Sequence, residues 1–215
     1  MTKMCYLDIL SCMGVIPITK LSFVKKLYYQ DKLPMKQVAN ELGVSLDAVV
    51  YFMRKQNLLR RTLREDSVVR FAKKLPSFTL IKKLTKRQEV LKIIGVTLYW
   101  GEGYKTEKSN GVDLANSDIF IITIFLSFLR EVCGIDERRL RVLLYCHENQ
   151  NQETLIHFWS KKTKIPKSQF TKPYVRKIKE YGTIRTMPYG LVHIRYADKK
   201  LLTVIKKWIE EYKVF

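Results

Sequence analysis

The longest apolar run, Ile119 to Leu129 (IFIITIFLSFL), constrains this chain more than any other stretch. Its eleven residues carry no charge, so it lacks the polar face a surface helix needs. It also falls well short of the roughly 20 residues that span a bilayer. Asn116-Ser117-Asp118 before it are N-cap residues, and the spacing predicts a buried helix reaching about Cys133. Something must cover that helix, and the flanking patterns say what. Leu140, Val142, Leu144 and Cys146 alternate with Arg139, Arg141, Leu143 and Tyr145. Val192, Ile194 and Tyr196 alternate with Leu191, His193 and Arg195. Period two marks strands with one covered face. Helices are expected from Gln88 to Glu102, ending at a left-handed Gly103; from about Gln152 to Thr163, with Pro166 barring continuation; and from Asp198 to Tyr212. Asn110-Gly111 reads as a two-residue hairpin turn. The expected class is α+β, with an antiparallel sheet that has one face on helices and one basic face.

Charge narrows the partner. The 215 residues hold 40 Lys and Arg against 20 Asp and Glu, a net charge of +20. A domain this basic gains nothing from its self-repulsion unless it sits on a polyanion. Nucleic acid is the leading partner, and the helix-turn-helix pattern of residues 35–54 narrows it to double-stranded DNA. An anionic membrane surface is disfavoured because the basic residues are spread over strands and joints, not gathered on one amphipathic helix. The N-terminal stretch carries Asp8 and lacks a convincing cleavage site, so no secretory leader is expected. Cys5, Cys12, Cys133 and Cys146 show neither CxxC spacing nor disulfide density. Reduced thiols point to the cytoplasm, nucleoid-associated in a bacterium or archaeon.

Four regions follow: an N-terminal segment (1–19), a helix-turn-helix DNA-binding domain (20–61), a basic connector (62–87) and an α+β domain (88–215). Residues 35–54 (MKQVANELGVSLDAVVYFMR) carry the helix-turn-helix pattern. Val38, Leu42, Val44, Val49 and Phe52 fall where two helices pack. Ala39 permits their close approach, Gly43 the turn, and Ser45 is a natural N-cap. The second helix would then turn Ser45, Asp47, Tyr51, Arg54 and Lys55 outward toward a major groove. From Arg54 to Lys92 thirteen basic residues face three acidic ones, which makes the joint a positive belt.

Glu102 is the unusual acid. It closes an apolar helix, where the macrodipole and unpaired carbonyls disfavour negative charge. Gly95, Thr97 and Gly101 leave that helix narrow enough for another helix to approach. Two such helices side by side would bring two carboxylates together, an arrangement that a divalent cation makes favourable.

GVTLYWGEG (Gly95 to Gly103) resembles the LAGLIDADG motif of the homing-endonuclease superfamily, in a variant close to xLGLYWGEG. The following NSD, the HENQN segment and FWSKKTKIPKSQFTKP (Phe158 to Pro173) resemble single-motif members fused to a helix-turn-helix. Thr97 replaces the glycine expected at the helix crossing, and Glu102 the commoner aspartate. The resemblance covers roughly residues 88–212. It implies an αββαββα-type domain with an antiparallel saddle sheet over the DNA major groove. It also implies a homodimer through the 88–102 helix, and Mg²⁺ held by Glu102 from each subunit. The expected chemistry is metal-dependent phosphodiester hydrolysis, with Lys105, Lys177 or Arg185 as a basic residue near the scissile phosphate. Arg139, Arg141, Tyr145, Arg176, His193 and Arg195 would lie on the saddle. The alternative is a non-catalytic transcriptional regulator with a degenerate LAGLIDADG domain, similar to the sporulation-regulator family. His147, Glu148, Asn149 and His157 invite an HNH-type or zinc reading, but the two histidines lack companion cysteines.

Overall fold

The computed structural model describes residues 15–177 and 187–214. The chain divides into two compact units, Met1–Leu75 and Pro76–Phe215, and is α+β.

In the first unit, α1 (Leu21–Lys25) runs on into a π-helical turn, Lys26–Gln30. Then come α2 (Met35–Leu42), α3 (Leu46–Lys55) and α4 (Leu63–Lys73). Gly43 joins α2 to α3 at φ 66°, a value that a side chain would disfavour. Ser45 caps α3 by accepting a hydrogen bond from the Ala48 amide at 3.2 Å. Val24, Leu27, Tyr28, Val38, Ala39, Val49, Phe52 and Met53 form the core.

Part of the expected basic connector is helical. Thr62 and Glu65 form a capping box that starts α4, a signal the basic composition obscured. Arg61 then ties α4 to the core. Its guanidinium donates to Asp66 Oδ1 (2.7 Å), to the Tyr28 carbonyl (2.7 Å) and to the Leu33 carbonyl (2.6 Å), and lies 4.0 Å from the centre of the Tyr28 ring. Lys73 donates to the Asp31 carbonyl at the far end of α4. The rest of the stretch belongs to the second unit. Ser77 donates from both its amide and its hydroxyl to Asp198, the Tyr196 hydroxyl donates to the Ser77 carbonyl, and Thr79 donates to Gly134.

The second unit contains α5 (Lys86–Glu102), β1 (Val112–Asn116), α6 (Ile119–Glu131), β2 (Leu140–His147), α7 (Gln152–Thr163), β3 (Tyr174–Arg176), β4 (Leu191–Tyr196) and α8 (Lys199–Tyr212). The most apolar stretch of the chain forms α6 as expected, capped by Asp118, with Ile122, Phe125, Leu126, Phe128 and Leu129 buried. Gly95 of α5 faces Phe128, which leaves no room for a β-carbon (2.2 Å), so this glycine brings α5 onto α6 within one chain.

The four-stranded sheet has the order β1-β4-β2-β3. β4 pairs antiparallel with both β1 and β2, but β3 pairs parallel with β2, so the sheet is mixed and not antiparallel as expected. The cause is α7, which carries the chain back so that β3 starts at the same end as β2. Asn110-Gly111 is not the hairpin turn. The tight turn is Thr106–Ser109, and Gly111 is small because a β-carbon would stand 2.3 Å from the Tyr196 carbonyl. Gly103 is extended (φ −81°, ψ 149°) and bridges Leu114, so α5 ends directly into the sheet edge without a left-handed cap. Among the described residues, no helix is long and apolar enough to cross a membrane.

Candidate nucleic-acid interface

The end of α5 sets the first part of the site. Where a helix stops, its last carbonyls lack amide partners. Lys105 supplies them, its Nζ donating to the carbonyls of Trp100 (2.7 Å), Gly103 (2.8 Å) and, at 3.4 Å, Tyr99. Lys105 is thus a cap on α5, not a free base. Tyr99 is buried beneath, its hydroxyl donating to the Tyr104 carbonyl at 2.7 Å. Burial pushes its phenol up to about 12. Glu102 is exposed and has no hydrogen bond or ion pair among the described residues. Val90, Ile93, Ile94, Thr97, Trp100 and Gly101 are exposed along α5. A β-carbon at Gly101 would meet nothing within 4 Å. Of the three small residues expected at a helix crossing, Gly95 is therefore occupied inside the chain, while Thr97 and Gly101 are open. Among the described residues no three His, Cys, Asp or Glu side chains gather as a metal site, and His147 and His157 join no such group. One chain thus offers a cation Glu102 without a companion set, and pairing would require a second copy.

The second part is the sheet face opposite the helices. Val112, Leu114, Val142, Leu144, Val192 and Ile194 point into the core, so alternation turns their neighbours outward. Register then builds rows across the strands: Asp113, Arg195 and Arg141 in one, Ala115, His193 and Leu143 in the next, Leu191, Tyr145 and Tyr174 in the third, with His147 beside Arg176 beyond. Asp113 organises the centre. Its carboxylate accepts from His193 Nδ1 (2.9 Å) and from Arg195 Nε (2.9 Å). A carboxylate only accepts, so the bond fixes the His193 proton on Nδ1. His193 is only 5% exposed, packed between the rings of Tyr104 and Tyr145. The expected basic face is thus less basic at its centre than its sequence suggests.

The other expected contacts fall in different places. Arg141 is exposed, its guanidinium donating to the Arg138 and Leu140 carbonyls. Arg139 lies in a 3₁₀ turn before β2 and donates to the Ala197 carbonyl; its Nε is buried without a partner among the described residues. Arg176 and Lys177 are exposed at β3. Arg185 lies outside the described residues. Asp113, Tyr104 and Tyr174 are absent from the sequence-based set. The two-residue period through 112–116 would have turned Asp113 toward the same face as His193, but five residues give a weak pattern.

On α3, Ser45, Asp47, Tyr51, Arg54 and Lys55 are all exposed, and Ser45 doubles as the cap. Tyr51 and Lys55 border an apolar pocket of roughly 260 Å³ whose other walls include Val15, Ile16 and Ile18. Comparison with protein-family models, curated proteins and solved structures returned no match.

Proposed function

We propose that the chain is a sequence-specific, duplex-DNA-binding protein of the LAGLIDADG type. It acts as a homodimer through α5 and cleaves DNA at paired Glu102 carboxylates. The observation that carries this reading is α5 itself, with an exposed apolar stripe beside Thr97 and Gly101 and an exposed, unpaired carboxylate at its carbonyl end. Burying Ile93, Ile94 and Trp100 against a second copy would stabilise the pair by roughly 25 cal/mol per Å² of apolar surface removed from water. It would also bring the two Glu102 side chains together beside two negative helix ends, favouring Mg²⁺ between them.

The element order supports the same reading. Setting aside α7 and β3, the unit runs α5, the Gly103–Leu114 bridge, β1, α6, β2, β4, α8, an αββαββα order with antiparallel neighbours. α7 and β3 are then an insertion at the sheet edge. In the first unit, α2 and α3 follow one another through the Gly43 turn, which supports a helix-turn-helix reading in which α3 offers Asp47, Tyr51, Arg54 and Lys55 to a groove.

A bound Mg²⁺ would activate water and stabilise the departing oxygen. The chain's own residues supply the carboxylate, hold the helix end through Lys105, and position the sheet. One observation favours a second reading, a non-catalytic regulator: Lys105 is committed to three backbone carbonyls and is not free to move a proton.

Sequencing of ends formed when the full chain meets a randomised duplex pool with Mg²⁺, with Glu102→Gln in parallel, tests the reading. Recurrent, roughly palindromic cuts absent from the variant are the expected result. Enrichment without cutting would leave the regulator, and no enrichment would remove DNA binding altogether.

A further inference from the structure

Four aromatic rings from four separate segments touch in sequence across the open sheet face. Tyr104, ahead of β1, lies 5.6 Å from His193 of β4, His193 lies 4.9 Å from Tyr145 of β2, and Tyr145 lies 4.8 Å from Tyr174 of β3. Successive rings are tilted by only 31°, 30° and 40°, so they stand as a partial stack. Of the inner rings His193 is buried and Tyr145 half-buried, while Tyr104 is 49% and Tyr174 55% exposed. Each end of the stack therefore keeps an open ring in water.

We propose that this ladder is a stacking platform for unpaired nucleobases, so that the sheet face binds a single strand as well as a duplex. The proposal rests on the reading that this face meets nucleic acid. Three observations argue for it. Every base presents a π face, so an exposed tyrosine that already has a neighbour behind it takes any base without needing its hydrogen-bonding edge. The platform is preorganised, because Asp113 fixes the His193 ring, strand register pairs Tyr145 with Tyr174, and the Tyr104 amide donates to the Asp113 carbonyl, which lowers the ordering cost of binding. Cations stand where a backbone would track: Arg176 and Lys177 follow Tyr174 in the chain, and Arg141 lies on the same face.

The test is fluorescence anisotropy with the full chain and three labelled probes: a single-stranded DNA, the RNA of the same sequence, and the fully paired DNA duplex. Tyr174→Ala and Tyr104→Ala should each weaken single-strand binding roughly tenfold and change duplex binding less than about twofold, while Tyr174→Phe keeps wild-type affinity. A preference between the DNA and RNA arms identifies which strand the platform takes. Duplex binding with no single-strand binding, or equal losses on both, overturns the platform and leaves the function proposed above standing. Binding to no probe overturns both. Photo-crosslinking of the unmodified chain to a 5-iodouridine strand is independent of any variant's folding. Adducts on Tyr104 or Tyr174 are expected, and adducts confined to other residues overturn the proposal.

Discussion

The outward side of α3 and the open face of the sheet are both candidate contact surfaces, and they are built in opposite ways. On α3 the side chains of Asp47, Tyr51, Arg54 and Lys55 stand in solvent without a hydrogen bond or ion pair among the described residues. On the sheet, Asp113, His193 and Arg195 are bonded to one another, and Tyr104, Tyr145 and Tyr174 are packed ring on ring. A free side chain adapts to its target but loses rotamer freedom on binding, about 2 kcal/mol for an Arg or Lys. A networked one is already in place, and removing it exposes its neighbours. The contrast is between a surface whose residues act singly and one whose residues act together.

The largest expected effect tests that contrast at two aspartates. Asp113→Ala leaves His193 Nδ1 and the Arg195 guanidinium without their shared acceptor, and should destabilise the second unit by roughly 1–3 kcal/mol. Asp47→Ala removes no partner and should change stability by less than about 0.5 kcal/mol. Trp100, Trp159 and Trp208 all lie in the second unit, so tryptophan fluorescence in urea reports that unit and not the first. Equal effects would erase the distinction.

Arginines sharpen it next. Arg54→Ala should weaken duplex binding and lower the slope of log affinity against log salt by about one, the mark of one lost phosphate contact. Arg195→Ala should change that slope less, because Arg195 is already paired with Asp113, while costing more in urea stability than Arg54→Ala.

Acid should separate the two units more gently. Burial pushes the Asp198 carboxyl up, but hydrogen bonds from the Ser77 hydroxyl and amide and from the Lys200 and Leu201 amides more than offset it, holding the group below the usual range. A carboxyl held low in the fold contributes its full stability above the usual carboxylate range and loses it as pH falls through the folded value. Tryptophan fluorescence of Asp198→Asn should therefore show lower stability at neutral pH and a flatter acid limb than wild type.

The smallest effect is on the basic side. Tyr99 titrates at about 12 in the fold, against about 10 in an unfolded chain. Its contribution is complete below the lower value and disappears as pH rises through the higher one. Absorbance at alkaline pH should show a late-titrating phenol that Tyr99→Phe removes.

Several elements were legible in the sequence because local chemistry decided them. The uncharged Ile119–Leu129 run behind Asp118, Gly43 between two amphipathic segments, and the alternation through 140–147 and 191–196 each specify one backbone conformation. The misreadings share a cause, since each depended on a partner distant in the chain. Gly103 has the local signature of a left-handed stop, but Leu114 draws it into a bridge. Asn110-Gly111 has the local signature of a turn, but the glycine is there for the Tyr196 backbone. The basic composition after residue 61 hides the capping box that starts α4, and Arg61 fastens that helix to Tyr28 and Leu33.

By itself, then, the sequence determined the helix and strand periods, the caps and the excess of positive charge, because these depend on neighbours within a few residues. Tertiary structure alone decided that β3 runs parallel to β2, that Gly95 serves Phe128 while Gly101 stays open, and that Asp113 joins His193 and Arg195. Those outcomes come from register and close packing between segments as far apart as 82 residues, which no local pattern encodes.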